Sequence, residues 1–488
     1  DKDKIVNTDN MSTKEIADLD ISGSEFISTK KGQDSLRFFS ARATYKLSES
    51  IIYCRDVNYI PVADALIFPD KKNVTILRDA EIKTLEKAKI LANSTTKYHE
   101  IYNSIVNIKG RKKYIANGDY EYKSKNMKTQ TIHFNIVDVD STLQTYAKSE
   151  IDENSDFKLS NFYDFYGKIN LFANQKFLVF KGNGRIKETC PNIASSWFKF
   201  ESSIDPNNIY IKIDSITKNL NNQNIFNGFM LAKADSTYIY PTFLSEKKNT
   251  KKGKEDLNIL TAYGFLNYNE LTHEYRISSY DRLVQNTGKD NYVSFNIDQC
   301  SMLGDGELNF LENLGEFNFK NYGRINHYSD NDSTTIELFM LIDFPFDNDA
   351  LEIISEKLEK NTDLQPIDPS NEQFASNIKK ILPKNTAENI ISQLTLYGKL
   401  KKIPDEMKHT FVISNVKMQW NNNTGSFIST SKIGLVNMQK KQLYKYVNGY
   451  IELKKKKGGD QFTIYLAPND EKEWYIFQYR NNEMRCFS

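Results

Sequence analysis

No stretch of this chain approaches the run of about 18 apolar residues that a membrane-spanning helix requires. Charge of one sign is also missing: 65 Lys and Arg stand against 63 Asp and Glu, a formal net charge of +2. That balance gives no reason to expect nucleic acid, which needs a concentrated basic surface. Cysteine is confined to Cys54, Cys190, Cys300 and Cys486, whose spacing excludes CxxC-type zinc or redox motifs. The even count fits two disulfides in an oxidising compartment, and it fits four buried free thiols equally. Proline (11) and glycine (21) are sparse, whereas Asn is abundant. The chain opens at Asp1 without Met, which reads as a processed or excised segment.

Catalytic signatures are absent as well. His99, His133, His273, His327 and His409 are scattered, and "THEYR" (272–276) lacks the second His of a zinc-protease helix. "GNGR" (182–185) and "GDGE" (304–307) contain GxG without a third glycine and without a following helix. A dinucleotide site is therefore not expected, and both read as turns or bulges. No phosphate-binding GxxxxGK[ST] and no GxSxG elbow occur. The sequence thus indicates no enzyme, no cofactor and no catalytic residue.

What is present is alternation. In "FSARATYKL", Phe39, Ala41, Ala43, Tyr45 and Leu47 share one parity and are expected to face inward. The same pattern marks Tyr114, Ala116, Gly118, Tyr120 and Tyr122. It recurs at Val293, Phe295 and Ile297, at Ile336, Leu338, Met340 and Ile342, at Phe462, Ile464 and Leu466, and at Tyr475, Phe477 and Tyr479. One buried and one wet face is the habit of antiparallel sheets. Strand–polar turn–strand units recur at 167–186, 265–280, 293–310 and 416–435. The expected fold is mostly β: an elongated antiparallel sandwich or jellyroll, or a stacked β-groove, with a small helical insert.

The insert is read from helical spacing within 348–396. Leu351, Ile354 and Leu358 follow Asn348, "SNEQ" (370–373) matches a capping box, and Pro383 separates two further helices. "STKE" (12–15) predicts one capped turn. Leu443, Tyr446 and Val447 predict a short helix over 438–448, with Gly449 as its stop. "KKNTKKGKED" (247–256) reads as a loop, and "KKKKGGD" (454–460) as a solvated hairpin tip. Expected regions are 1–155 (β-rich), 156–345 (central sandwich or jellyroll), 346–402 (helical insert) and 403–488 (β with one short helix).

Two residue sets are candidate sites. Acidic turns offer Asp330, Asp332, Asp347 and Asp349 to calcium, although EF-hand spacing is missing; Asp347 and Asp349 also suit the start of a helix. Trp197, Trp420 and Trp474 are the candidates for an aromatic ligand platform.

Two resemblances add to this reading. "DSLRFFSARATYKLSESIIYCRDVNYI" (34–60) is similar to the OstA-type β-jellyroll repeat of lipopolysaccharide-transport proteins. "YIPVADALIFPD" (59–70), residues 88–122, "LGEFNFKNYGRINH" (314–327) and "EWYIFQYRNNEM" (473–484) resemble a family of very large, uncharacterised cell-envelope proteins of Bacteroidetes-type Gram-negative bacteria. The second resemblance implies secretion, a periplasmic or outer-membrane location and a longer parent protein. It supplies no catalytic residues. The expected function is a non-enzymatic envelope scaffold that binds other envelope proteins. A lipid or lipopolysaccharide conduit at the outer membrane is the alternative, and a carbohydrate-binding module the third reading.

Overall fold

A computed structural model describes residues 8, 10–19, 23–191, 193, 195–233, 238–249, 255–286, 289–311, 315–421, 423–456, 459–469 and 472–488. The chain is mostly β, in large antiparallel sheets with few helices. It divides into two compact units: 1–187 with 199–211, and 188–198 with 212–488. The chain therefore leaves the first unit after Lys187, returns at Lys199, and leaves again after Ile211. No helix among the described residues is long and apolar enough to cross a membrane.

The first unit is built on a meander of ten strands in chain order. They are β1 (Ile60–Val62), β2 (Ala65–Phe68), β3 (Leu85–Ala92), β4 (His99–Gly110), β5 (Lys113–Tyr122), β6 (Gln130–Val139), β7 (Thr145–Ile151), β8 (Tyr163–Phe172), β9 (Val179–Ile186) and β10 (Phe198–Ser203). A short strand, Lys158–Ser160, adds to β8 within the 152–162 connection. Alternation becomes burial as expected: Tyr114, Ala116 and Tyr122 are buried, and Glu121 is exposed.

The sheet is rolled. Asp64, between β1 and β2, accepts hydrogen bonds from the Thr145 N–H (3.0 Å) and hydroxyl (2.6 Å) on β7. Five strand spacings of about 4.8 Å would hold these residues roughly 24 Å apart in a flat sheet. Side chains fill the interior. Phe134, Ile169 and Phe180 are fully buried, and Phe165 meets Phe180 edge-on at 5.1 Å. Helix α1 (Thr13–Ile16) carries the expected capping box between Ser12 and Glu15, and Ile16 packs on Leu66, Phe68 and Leu91.

Two sequence expectations fail in this unit. Arg37–Ser40 and Arg42–Lys46 belong to separate small sheets. Phe38 and Ser40 are buried, whereas Tyr45 and Leu47 are 55% and 82% exposed. Parity breaks at Ala41, and Arg42–Lys46 are exposed on both faces among the described residues. "GNGR" is not a turn but the interior of β9. Gly182 lies opposite Gly167, and a Cβ on it would stand 2.3 Å from the Tyr166 carbonyl oxygen.

The second unit holds a three-stranded sheet, β11 (Phe226–Leu231) flanked by β12 (Ile239–Ser245) and β13 (Leu257–Thr261). Its large sheet runs β14 (Gly264–Asn269), β15 (Glu274–Ser278), β16 (Tyr292–Asn296), β17 (Ser301–Glu307), β18 (Asn318–Tyr328), β19 (Ser333–Asp343), β20 (Phe411–Asn421) and β21 (Ser426–Ser429). Beyond β21 come β23 (Lys441–Lys454), β24 (Gln461–Asn469), β25 (Glu473–Arg480) and β26 (Glu483–Phe487). Strand β22 (Ile433–Met438) pairs with β20 and β23. The two sheets pack as a sandwich: Phe243 meets Phe295 at 5.6 Å, and Phe229 lies against Gly304. "GDGE" is therefore strand rather than turn, its first glycine making room for a ring.

The other face of the large sheet carries the insert. Helices α3 (Asn348–Lys360), α4 (Glu372–Ile381) and α5 (Lys384–Tyr397) occupy the expected stretch, whereas α2 (Tyr280–Gln285) lies outside it. Asp347 caps α3 and Asn371, rather than Ser370, caps α4. Gly398, at φ +66°, closes α5. Phe374, Ile378, Ile381, Ile390 and Leu394 bury against Phe339, Leu341, Val412, Val436 and Tyr444 of the sheet. Each such side chain contributes roughly 1.5–3 kcal/mol of apolar burial. This second cover explains why β19 is buried on both faces.

The helix expected at 438–448 is instead the β22–β23 hairpin. Pairing with β20 and β24 overrides the helical spacing of Leu443, Tyr446 and Val447. Lys445 Nζ bonds the Leu358, Glu359 and Asn361 carbonyls, satisfying the C-terminal end of α3. At the "KKKKGGD" tip, Lys457 and Gly458 lie outside the described residues. Lys455 is not simply solvated: its Nζ bonds the buried Asp460 at 2.5 Å and the Phe310 carbonyl at 3.2 Å. The middle of 247–256 also lies outside the described residues.

The cysteines follow neither expected pattern. Cys190 and Cys300 form one disulfide across 110 residues, with both ends in the second unit. Cys54 and Cys486 are free, and burial raises both thiols to about 11.

Candidate functional site

The large sheet of the second unit carries a polar band on the face that bears α4. Strand register places Tyr292, Asp305, Arg324, Glu337 and Lys417 opposite one another on β16 to β20. Alternating charges on facing positions attract. Next to the band, Asn267, Arg276, Ser294, Leu303 and Asn326 form a second cross-strand row.

Asp305 is the centre. Its carboxylate meets Lys380 Nζ at 3.0 Å, Arg324 Nε at 2.8 Å and the Arg282 guanidinium. Lys380 comes from α4 and Arg282 from α2, so two helices and two strands converge on one oxyanion. Arg282 also stands over the Tyr292 ring at 5.3 Å. Burial pushes the Asp305 carboxyl up. The charges of Lys380 and Arg282 and the hydrogen bond from Arg324 more than offset it, leaving Asp305 below its ordinary range. Lys380 is lowered, first by burial and then by Arg282 and Arg324, against the pull of Asp305. Burial, followed by the charge of Glu274, raises Tyr292.

Beside this cluster opens a cleft of about 420 Å³. Arg276, Arg282 and Arg324 line it with Glu274 and Asp305, and Leu283, Val284, Leu303 and Tyr292 add apolar wall. Three guanidiniums face two carboxylates, and Lys380 adds a further positive charge behind Asp305. Arg276 gives one terminal nitrogen to Asn267 at 2.6 Å, while its buried Nε meets no acceptor among the described residues. Asp305, ionised and fully engaged, is a poor proton donor. The arrangement suits holding a ligand better than moving a proton.

The sequence-expected sites do not assemble. Asp330 and Asp332 lie in the exposed β18–β19 turn, whereas Asp347 and Asp349 lie beyond the far end of β19. Eleven residues of strand, roughly 35 Å, separate the two pairs. Asp347 spends its carboxylate on the Ala350 N–H at 2.8 Å. No group of three metal-ligating side chains occurs among the described residues. Trp420 packs edge-on against Phe427 at 4.8 Å, near the β23–β24 turn. Trp474 is 39% exposed at the opposite end of β24's partner strand, and Trp197 is half-buried in the 188–198 segment.

The charged cluster was missed from sequence because its members span residues 276–380 without a motif. Outward parity in "EYRIS", "GDGE" and "YGRIN" was the available signal. Comparison with protein-family models, with curated proteins and with solved structures found no significant match.

Proposed function

We propose that this chain is a secreted, non-enzymatic binding module of the cell envelope, part of a larger periplasmic or outer-membrane assembly. The observation that carries the reading is the Cys190–Cys300 disulfide, because such bonds persist in oxidising compartments and are rare in the cytosol. Paired sheets with a helical insert offer binding faces to other envelope proteins. The one carboxylate at the heart of the cleft is immobilised by cations, which favours binding over acid–base chemistry. A lipid conduit has less support: residues that would line its trough, Ala43 and Tyr45, are exposed on a small sheet, and the rolled sheet is filled by its own side chains.

The test is thiol trapping in the native cell combined with protease access after the outer membrane is opened. Expected are a blocked Cys190–Cys300 pair, digestion from the periplasmic side, and envelope proteins co-purifying from mild detergent. Four reduced thiols in a protease-protected cytosolic protein would overturn the reading.

A further inference from the structure

The cations of the cleft are not consumed by its own carboxylates. Arg282 and Lys380 are committed to Asp305. Arg324 commits only Nε, at 2.8 Å, and its outer end is part-exposed. Arg276 holds Asn267 with one terminal nitrogen and leaves its Nε without an acceptor among the described residues. A guanidinium fixed at Nε with an exposed outer end, as at Arg324, and one with a buried, unsatisfied donor, as at Arg276, are both pre-organised for a planar or tetrahedral oxyanion.

The remaining lining describes the rest of the ligand. Tyr292, Leu283, Val284 and Leu303 give an apolar surface for a small ring. Asn269, Thr272, Glu274, Asn286 and Ser294 offer both donors and acceptors, as a hydroxylated body requires. Glu274 accepts from the Thr272 hydroxyl at 3.1 Å and would accept from a ligand hydroxyl in the same way, while repelling a second negative charge. A cavity of about 420 Å³ falls within the range for small-molecule sites and suits one ring rather than a polymer.

We infer that the cleft between α2 and β15–β18 binds an acidic sugar, a hydroxylated ring carrying one oxyanion, with Arg276 and Arg324 receiving the charge. The inference rests on the non-enzymatic reading above and names the ligand class for it. The oxyanion has two sources, the carboxylate of a uronic acid or the phosphate of a sugar phosphate.

The full chain is titrated by calorimetry and by ligand-observed NMR with glucuronate, galacturonate, glucose 6-phosphate, inorganic phosphate and neutral glucose. At least one acidic sugar binds saturably, and glucose binds about tenfold or more weakly. The stronger of uronate and sugar phosphate identifies the oxyanion. Arg276→Gln and Arg324→Gln each weaken binding about tenfold or more. Thermal melting checks folding, and should Arg324→Gln unfold, Arg276→Gln carries the test. Failure of every acidic sugar to bind, equal binding of glucose, or unchanged binding by a folded Arg276→Gln would overturn the assignment and leave the envelope reading standing. New product resonances from a bound acid would overturn the non-enzymatic reading instead.

Discussion

Reducing the Cys190–Cys300 bond releases a constraint on the unfolded chain, and its size follows from the 110-residue separation. In the chain-entropy treatment the loop-closure term for that length is about 4.8 kcal/mol at 25 °C. The second unit is larger than the domains for which 1 kcal/mol moves Tm by 2–4 °C, so the low end applies and Tm falls by roughly 10 °C. Both cysteines belong to the second unit. The loss is therefore expected in that unit's transition and not in the transition of the rolled sheet. Calorimetry with and without a phosphine reductant reads the shift, with Cys190→Ser/Cys300→Ser as the covalent equivalent. Thiol titration in denaturant supplies the chemical check. Cys54 and Cys486 react at once, and the other two react only after reduction. Four thiols titrating without reductant, or coincident melting curves, would refute the argument.

Three further outcomes follow from the packing. Asp305→Asn leaves Arg282 and Lys380 buried without their carboxylate and is expected to cost about 3–5 kcal/mol in urea unfolding. Because Asp305 titrates below its ordinary range when folded, its contribution is complete above about pH 3.9 and fades as pH falls through the lower folded value, so the variant loses that acid sensitivity. His99 is buried, its Nε2 donates to the Gln175 carbonyl at 2.7 Å, and burial lowers its folded pKa. Below about pH 6.5 the unfolded chain takes up a proton that the folded one refuses; the first unit loses up to about 1.4 kcal/mol per pH unit, and His99→Gln flattens that slope in melts between pH 7.5 and 5.5. Gly182→Ala sets a methyl against backbone on β8 and is expected to cost about 1–3 kcal/mol by denaturant midpoint, with a neutral result refuting the close approach of the two strands.

The strands with one wet face were legible from parity alone: Tyr114, Ala116 and Tyr122, Phe462 to Leu466 and Tyr475 to Tyr479 bury as alternation requires, with Tyr120 half-buried. So were the three helices of the insert, whose apolar stripes and caps are local features. Legibility ended where two layers meet one strand. Leu443, Tyr444 and Val447 are all buried, because Tyr444 adopts φ +47° and the strand bulges there between covers. A run buried on both sides loses its period of two and imitates a helix. The reverse holds at Ala43 and Tyr45, where the residues alternate in sequence and yet both are exposed among the described residues. The charged cleft was illegible for a related reason. Outward parity marks Asp305 and Arg324 as wet, and only the placement of α4 over that face takes the carboxylate out of water.

The chain's double excursion at 187–212 bears on how the molecule is taken apart. A fragment ending at Lys187 strips β9 of β10 and leaves its edge bare. Moving the cut to 211 keeps that edge covered but strands Cys190 on the amino-terminal piece, away from Cys300. A protease nick anywhere from 191 to 299 consequently yields two polypeptides still fastened by one sulfur–sulfur bond, which migrate as a single species until a thiol is added. Within 187–212, only a cut placed before Cys190 separates the pieces without severing that fastening, and it does so at the expense of the edge of β9.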